Sequence, residues 1–419
     1  MGKVAYASAM TDSSQQSHIS LDTELALGEH ASIIRIVEAL LEEAHALHAS
    51  DIHIDPTREL LRIRLRIDGV LIDYKTIPSK IRLEIISRLK VLSGLRTDEH
   101  QAPQDGRFRQ TLSTGIHVDI RVSIAPTYHG ENAVLRLLSV HSEDLKLSDL
   151  GFSPSAVALI QTAISKPNGM ILATGPTGSG KTTSLYTLIK MLNKPHVSIV
   201  TIEDPIEYSI DNIEQIQVNP RTGLTFATGL RSILRQDPDI IMVGEIRDSE
   251  TASISVNTAL TGHLLLSTLH TNDAATTLPR LIDMGIDPYL VASTINLAIG
   301  QRLVRKICES CKTEITLTQA MTKSLKSLPI SNPFVAGEKS WYGAGCSSCS
   351  DSGYVGRISV NEVLTADATV KDAILGRASA GELRKIAVQN GMTTMLEDGI
   401  EKVRDGLTTI EEVLRVIHE

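Results

Sequence analysis

Hydrophobic and polar positions change their spacing several times along this 419-residue chain. Residues 32–47 carry apolar side chains at helical spacing, which predicts a helix. Apolar and polar residues then alternate in three segments, 49–56, 60–69 and 116–123. Alternation at every second position is typical of strands with one buried face. With a further helix predicted around 79–93, these segments predict a small α+β domain.

A different pattern follows, because apolar runs from 167 to 306 have no polar face. Runs such as 197–202, 240–244 and 264–268 are typical of strands that are buried on both sides. Helical patterns separate these runs. Buried strands that alternate with helices predict a parallel sheet covered by helices on both faces, which is an α/β fold.

Shifts in composition divide the chain into six predicted segments. They are a flexible tail rich in Ser, Thr and Gln at 1–28, an N-terminal α+β domain at 29–140, a linker at 141–166, an α/β core at 167–306, a cysteine-bearing segment at 307–352 and a helical C-terminal region at 353–419. The chain lacks a run of about 18 apolar residues, so we expect no helix that crosses a membrane.

A glycine-rich sequence lies between a predicted strand and a predicted helix. Residues 175–182 read Gly-Pro-Thr-Gly-Ser-Gly-Lys-Thr, which fits the spacing G-x-x-x-x-G-K-[ST]. Glycines let backbone N–H groups turn inward around phosphate oxygens, Lys181 can reach the β- and γ-phosphates, and the Thr182 hydroxyl can ligate Mg²⁺. A glycine turn without function is the alternative, and the flanking strand and helix disfavour it. The predicted nucleotide-binding residues are Gly175, Pro176, Thr177, Gly178, Ser179, Gly180, Lys181, Thr182 and Thr183.

Acidic residues follow two of the predicted buried strands. Glu245 ends an apolar strand, as in a Walker B segment, where a carboxylate faces Mg²⁺ or the attacking water. Glu203, Asp204 and Glu207 follow another strand, at the sheet edge that holds the ligand in open α/β folds. The alternative for these three residues is a solvated turn organised by Pro205.

Two histidines and three arginines are further candidates. His263 and His270 flank an apolar strand, where a histidine could sense a γ-phosphate or fill a structural position. Arg231 and Arg235 share a helix face, and Arg247 follows the Walker B segment. Each arginine could reach a phosphate of a neighbouring subunit or be an ordinary surface charge.

The four cysteines form two C-x-x-C pairs, Cys308 with Cys311 and Cys346 with Cys349. Two such pairs can complete the tetrahedral shell of one structural zinc ion. Unrelated thiols or redox pairs are the alternative. No signal peptide is evident, which favours a cytoplasmic location where thiols stay reduced. The net charge of −8 disfavours a nucleic-acid motor coated in positive charge.

In their order, these motifs resemble the secretion ATPase family of type II secretion and type IV pilus assembly. The resemblance runs from about residue 32 to the end of the chain. It includes further motifs at 49–56, 64–69, 103–107, 130–131 and 353–357.

The resemblance implies a hexameric, RecA-like ATPase whose PAS-like N-terminal domain closes over ATP and Mg²⁺. Glu203 and Glu207 then match the family's aspartate box, Glu245 its Walker B glutamate, and His263 and His270 its histidine box. In this reading Mg²⁺ is held by Thr182 and Glu245.

The resemblance also suggests where cations and zinc act. Arg231, Arg64 and Arg107 match positions that approach phosphate or subunit boundaries. The cysteines match the assembly and secretion branch, because retraction ATPases lack this metal site. The chain departs from the family in its N-terminal part. Only about 30 residues precede the matching region here, whereas longer members carry a further docking domain. It also departs at Asn361, beside Glu362, where an aromatic residue is frequent.

The expected protein is therefore a cytoplasmic, zinc-containing hexamer that is peripheral to the inner membrane through its partners. ATP hydrolysis would drive domain motion, and that motion would power assembly of a type IV pilus or a type II secretion pseudopilus through an inner-membrane platform protein. Lys181 would neutralise phosphate charge, Glu245 helped by Glu203 would position water, and arginines would complete the site. A DNA-uptake or other nucleic-acid translocating ATPase is one alternative, although no nucleic-acid partner is expected, and a regulator with negligible turnover is the other.

Overall fold

The computed structural model describes residues 20–138, 145–325 and 328–418. Contacts divide the chain into two compact units, Met1–His141 and Ser142–Glu419, called here the first and the second unit. Within the described ranges, no helix has both the length and the apolar character that a bilayer crossing requires.

The first unit is a six-stranded antiparallel sheet with three helices. Its helices are α1 (Leu21–Ala26), α2 (Ile33–Ala46) and α3 (Arg82–Leu92). Its strands are β1 (Ala49–Pro56), β2 (Leu60–Ile67), β3 (Val70–Pro78), β4 (Gln104–Thr111), β5 (His117–Thr127) and β6 (Gly130–Leu138). The strand order is β3-β2-β1-β6-β5-β4.

Alternation along the strands produces the two different faces of this sheet. On β2, Leu61, Ile63 and Leu65 are buried in the core that also contains apolar residues of α2 and α3. The intervening arginines of β2 lie on the opposite face, since successive side chains of a strand point to opposite sides. The predicted α+β domain is confirmed.

The second unit contains eleven of the helices and nine of the strands that the structure describes. The helices are α4 (Pro154–Ile164), α5 (Lys181–Leu192), α6 (Phe226–Ile233), α7 (Ser249–Leu260), α8 (Ala274–Asp283), α9 (Pro288–Thr294), α10 (Gln319–Leu325), α11 (Ala368–Leu375), α12 (Ala380–Gln389), α13 (Met395–Arg404) and α14 (Ile410–His418). The strands are β7 (Gly169–Thr174), β8 (Ile199–Glu203), β9 (Glu214–Gln217), β10 (Ile240–Val243), β11 (Leu264–Leu269), β12 (Ile295–Ile307), β13 (Lys312–Thr316), β14 (Lys339–Gly343) and β15 (Tyr354–Thr365).

Seven of these strands form one sheet in the order β15-β12-β7-β11-β10-β8-β9. All neighbouring pairs are parallel except β12 and β15. Each face carries its own core: Met170 and Leu172 of β7 belong to one, and Ile171 and Ala173 to the other. The predicted α/β core is therefore confirmed, and the parallel strands bring their carboxyl ends to one edge. β13 and β14 form a separate antiparallel pair.

Three of the predicted segment boundaries need correction. The predicted tail at 1–28 includes α1, whose Leu21 is buried, while 1–19 lies outside the described residues. The predicted linker at 141–166 includes α4, and Phe152 and Ile160 pack into a core of the second unit. Apolar residues at these positions bind the segment to the sheet.

The predicted helical C-terminal region at 353–419 begins with a strand, β15. Polar residues Ser359, Asn361 and Glu362 obscured its alternation, although all three are buried. Hydrogen bonds offset much of this burial: Asn361 Nδ2 donates to the carbonyl of Gly151 at 3.3 Å, and Glu362 Oε1 accepts from Ala274 N at 2.8 Å. The four helices α11 to α14 follow.

Candidate nucleotide site and cysteine cluster

The phosphate-loop sequence connects β7 to α5, as its pattern predicts. All six residues of β7 are buried, and α5 begins at Lys181. Gly175 has φ +140°, and a Cβ built on it would lie 2.3 Å from the carbonyl oxygen of Gln301 on β12. Glycine is therefore required at the first position of the loop, because backbone packs directly against it.

Lys181 extends back into this loop. Its Nζ donates hydrogen bonds to the carbonyl oxygens of Gly175 at 2.7 Å and Pro176 at 2.9 Å. Burial lowers the pKa of Lys181 to about 8; nearby Arg302 adds to this effect, and Glu245 opposes it. A second negative group beside Nζ would raise this pKa again and stabilise the ammonium, so this lysine is suited to a phosphate oxygen.

Ser179 supplies an independent sign that the loop fits an anion. Its side chain is buried, and its Oγ has no hydrogen-bond partner within the described part of the chain. A buried hydroxyl without a partner is costly, and a phosphate oxygen would satisfy it. Thr182, which the motif assigns to Mg²⁺, is exposed at the start of α5.

Glu203 and Glu245 come together at the carboxyl edge of the sheet. Glu203 is the last residue of β8, Glu245 follows the adjacent strand β10, and Gly244 N donates to the carbonyl of Ile202 at 2.8 Å. Glu203 is only 2% exposed and Glu245 is 8% exposed. The structure therefore places both predicted acids at the same sheet edge as the phosphate loop after β7, with β11 between β7 and β10.

The Glu245 carboxylate is contacted by two basic side chains. Arg247 Nη2 lies 2.5 Å from Oε1, and His270 Nε2 lies 3.1 Å from Oε2. The hydrogen bond to Glu245 raises the pKa of Arg247. Both partners are more than half exposed, so the carboxylate is oriented by groups that solvent or a ligand can reach.

The loop after β8 carries the other predicted acids. Asp204 is exposed and is joined to Pro205 by a cis peptide bond. Glu207 is half-buried, and its backbone N–H donates to the Tyr186 hydroxyl at 3.3 Å. Both acids therefore lie in the loop that follows Glu203, and Glu203 is the acid at the end of β8.

The two predicted histidines are not brought together. His270 follows the carboxyl end of β11, whereas His263 precedes its amino end, where its Nδ1 lies 3.2 Å from the carbonyl oxygen of Thr258. Six strand residues separate them by about 20 Å. Within one chain, His263 therefore does not lie beside Glu245, contrary to the prediction of a shared catalytic centre, because the two ends of a strand lie at opposite edges of the sheet.

Arg231 does not contact the acids of its own chain at this edge. It lies on α6, half exposed, and forms an ion pair with Glu250 of α7 at 2.7 Å. Its neighbour Arg235 donates to the Arg231 carbonyl at 2.8 Å. Arg235 lies beyond the end of α6 at Ile233, so the predicted shared helix face is not formed. A role for Arg231 at a phosphate would need a ligand or subunit that approaches α6.

Several residues of the site were missed from the sequence. Gln301 and Arg302 lie on β12, and Gln301 accepts a hydrogen bond from Ser184 of α5 at 2.8 Å. Tyr186 of α5 donates a hydrogen bond to Glu203. A polar Gln-Arg pair within an otherwise apolar strand was the available signal for β12, whereas Tyr186 resembled an ordinary core residue.

The four cysteines lie together in the second unit. Their sulfur atoms are all within 4.8 Å of one another. Three pairs, Cys308–Cys346, Cys311–Cys349 and Cys346–Cys349, are separated by 3.9, 3.8 and 3.7 Å. Four sulfurs at about 2.3 Å from a central Zn²⁺ have tetrahedral edges of about 3.8 Å, so the spacing fits this ion.

Backbone donors around the cysteines also suit a metal-bound thiolate. Cys349 Sγ accepts hydrogen bonds from the backbone N–H groups of Cys346 at 3.2 Å and Gly353 at 3.3 Å. Outer hydrogen bonds of this kind orient metal ligands and stabilise their charge. The cluster can therefore hold one tetrahedral metal ion.

The comparisons with known proteins agree with this architecture. The sequence model described as "Type II/IV secretion system protein" matches residues 26–415. The "Type IV pilus assembly ATPase PilB" of Thermus thermophilus is 45% identical over 400 residues, which cover 96% of this chain and 44% of that protein. The "Type II secretion system protein E" of Xanthomonas campestris is 44% identical over 393 residues, which cover 94% of this chain and 69% of that protein. The chain thus spans less than half the length of the Thermus relative.

A solved structure gives the same result for the fold. The ATPase DotB of Legionella pneumophila matches with a TM-score of 0.67 and 25% sequence identity, over 91% of this chain and 95% of that chain. Because the family's sequence model spans nearly the whole chain and relatives exceed 40% identity, this chain belongs to the type II/IV secretion system protein family.

Proposed function

We propose that this chain is one subunit of a homohexameric ATPase that powers assembly of a type IV pilus or a type II secretion pseudopilus. Its partner would be an inner-membrane platform protein, which would hold the ring at the cytoplasmic side of that membrane. The observation that carries the proposal is the arrangement of the phosphate loop, Glu203 and the Glu245–His270 pair at one edge of the sheet.

The chemistry follows from the positions of these groups. The Lys181 ammonium would exchange its two loop carbonyls for phosphate oxygens and neutralise charge on the transferring phosphoryl group. Glu203 and Glu245 would orient the attacking water from the adjacent strands. Thr182 and Glu245 would hold Mg²⁺, which would neutralise phosphate charge when bound. The four cysteines would hold a structural zinc ion with no open coordination position.

The first unit carries a feature that supports contact with an anion. Arg107, Arg121 and Arg136 occupy directly opposite positions on the adjacent strands β4, β5 and β6. Like charges in such positions are destabilising, and Asp51 compensates Arg136 at 2.9 Å. This row concentrates positive charge on one face of the first unit, where an anion would be stabilised. Arg64, the other arginine suggested by the resemblance, is paired with Asp55 at 2.7 Å.

The test is ATP turnover by the purified chain with Mg²⁺, together with its mass in solution. We expect hydrolysis that depends on Mg²⁺, a hexamer with nucleotide, and loss of at least about 100-fold in kcat for Glu245→Gln. The matched control is Glu411→Gln, which neutralises an exposed acid of α14. No hydrolysis by the unsubstituted protein, even with lipid or platform protein present, would refute the proposal, and stimulation by DNA alone would favour a nucleic-acid translocase.

A further inference from the structure

The carboxylate of Glu203 accepts hydrogen bonds from three different elements. Thr201 Oγ1 of β8 donates to Oε1 at 2.6 Å, and Gln215 Nε2 of β9 donates to the same oxygen at 3.2 Å. The Tyr186 hydroxyl of α5 donates to Oε2. The two carboxylate oxygens are therefore held separately, and Tyr186 is the residue that donates to Oε2.

Tyr186 is itself fixed in place. Its side chain is fully buried, and its ring packs edge-on against Tyr208 with centroids 4.7 Å apart. Its oxygen also accepts the backbone N–H of Glu207 at 3.3 Å. Burial, with the charge of Glu203 beside it, raises the pKa of Tyr186 far above its ordinary value, so the hydroxyl keeps its proton and remains a donor.

We propose that Tyr186 is a positioning residue for ATP hydrolysis, which fixes the Glu203 carboxylate through Oε2 while Thr201 and Gln215 fix Oε1. This inference rests on the proposed function and deepens it. Tyr186 does not face the phosphate itself and acts through Glu203.

Tyr186 lies on the same helix as the phosphate-binding Lys181. α5 starts at Lys181, so Tyr186 follows the phosphate-binding lysine by five residues, which is about 7.5 Å along the helix axis. A helix is stiff over this length. A movement of the phosphate-binding end of α5 would therefore move the donor that orients Glu203, and the acid would be aligned by the same helix that holds the phosphates.

A double-mutant cycle tests this assignment in the whole protein. The four proteins are the unsubstituted chain, Tyr186→Phe, Glu203→Gln and the double variant. For each protein, kcat and KM for ATP and the Kd of a fluorescent ADP are measured. Phenylalanine keeps the ring and removes only the hydroxyl.

If Tyr186 acts through Glu203, we expect Tyr186→Phe to lower kcat by about 10-fold or more, because small misplacements of catalytic groups have effects of this size. The Kd for ADP should change by less than about twofold, since the lost contact is absent from nucleotide binding. In the Glu203→Gln background, the same substitution should change kcat by less than about twofold, since the carboxylate it orients is no longer there.

Two further variants keep the test decisive. Thr201→Val has nearly the same shape, removes a donor to Oε1, and should lower kcat in the same coupled way, so it replaces Tyr186→Phe in the cycle if that variant fails to fold. Tyr354→Phe is the matched control, because it also removes a hydroxyl hydrogen bond in the second unit, to Thr409 at 3.0 Å, and should leave kcat unchanged.

The outcomes that overturn the inference are distinct from failure of the proposed function. An unchanged kcat in Tyr186→Phe would overturn it. So would an equal loss in both backgrounds, or an ADP affinity that falls as much as kcat. Absence of hydrolysis by the unsubstituted chain would refute the proposed function first, and the positioning role with it.

Discussion

A substitution of Gly175 by alanine should disrupt the phosphate loop, chiefly through a collision with the backbone of β12; the added Cβ would also lie 2.8 Å from Ser179 Oγ, which can rotate. The added Cβ would lie 2.3 Å from the backbone oxygen of Gln301, which cannot rotate away as a side chain can. Gly178 is a matched control in the same loop. It also has a positive φ, +80°, but nothing lies within 4 Å of a Cβ built on it.

The difference between the two alanine variants measures the collision. A positive φ costs an alanine about 1–2 kcal/mol in the left-handed region near Gly178, and at least as much at Gly175, whose φ of +140° lies outside that region. Gly175→Ala additionally has to separate the loop from β12, and overpacking of this kind costs about 1–3 kcal/mol. We therefore expect Gly175→Ala to lower the free energy of unfolding by about 2–5 kcal/mol and Gly178→Ala by about 1–2 kcal/mol.

Trp341 provides the assay, because it is the chain's single tryptophan and lies on β14 in the second unit. Its fluorescence during urea unfolding reports that unit without a signal from the first. The Kd for ADP should rise more in Gly175→Ala than in Gly178→Ala, since displacement of the loop moves the backbone donors for phosphate. Equal losses of stability and affinity in the two variants would show that contact with Gln301 does not shape the loop.

Three further predictions concern other parts of the second unit. His270→Ala should lower kcat by about 10- to 100-fold, because it removes a hydrogen bond to the Glu245 side chain, while His263→Ala at the opposite end of β11 should change kcat by less than about twofold. Although burial alone would raise it, hydrogen bonds from Arg305 and Arg415 lower the pKa of Glu412 to about 2. The stability that Glu412 contributes is therefore complete above about pH 4.5 and is lost as pH falls towards 2. Over this range the urea midpoint of the unsubstituted chain should fall more steeply than that of Glu412→Gln. At pH 7 this variant should have a free energy of unfolding that is lower by up to about 3 kcal/mol. Elemental analysis should find one zinc ion per chain, and a chelator should lower the unfolding midpoint seen by Trp341; a chain without zinc whose midpoint resists the chelator would contradict the metal site.

The sequence was informative wherever a local pattern determines local structure. The alternation in β2 and the apolar run of β7 were assigned correctly, because burial of one or both strand faces leaves a direct periodic signal. The phosphate loop was equally accessible, since its glycines and Lys181 occur at fixed spacing. The resemblance to the secretion family was confirmed by comparison.

Features that depend on contacts between distant segments were not predicted. Gln301 reaches the phosphate loop only because β12 pairs with β7, and no local pattern specifies that pairing. Tyr186 lies on the buried face of α5 with apolar residues, so its hydrogen bond to Glu203 has no signature in the sequence. β15 was missed for the converse reason, because buried polar residues interrupt its alternation and are satisfied by remote partners.

The most direct test of the nucleotide site is an experimental structure with a non-hydrolysable ATP analogue and Mg²⁺. We expect Lys181 Nζ to leave the carbonyls of Gly175 and Pro176 and to bind the β- and γ-phosphates. We also expect Glu203, still held by Tyr186, to face the γ-phosphate together with Glu245. A nucleotide bound elsewhere, or phosphates in the loop with Glu203 and Glu245 turned away from them, would contradict it.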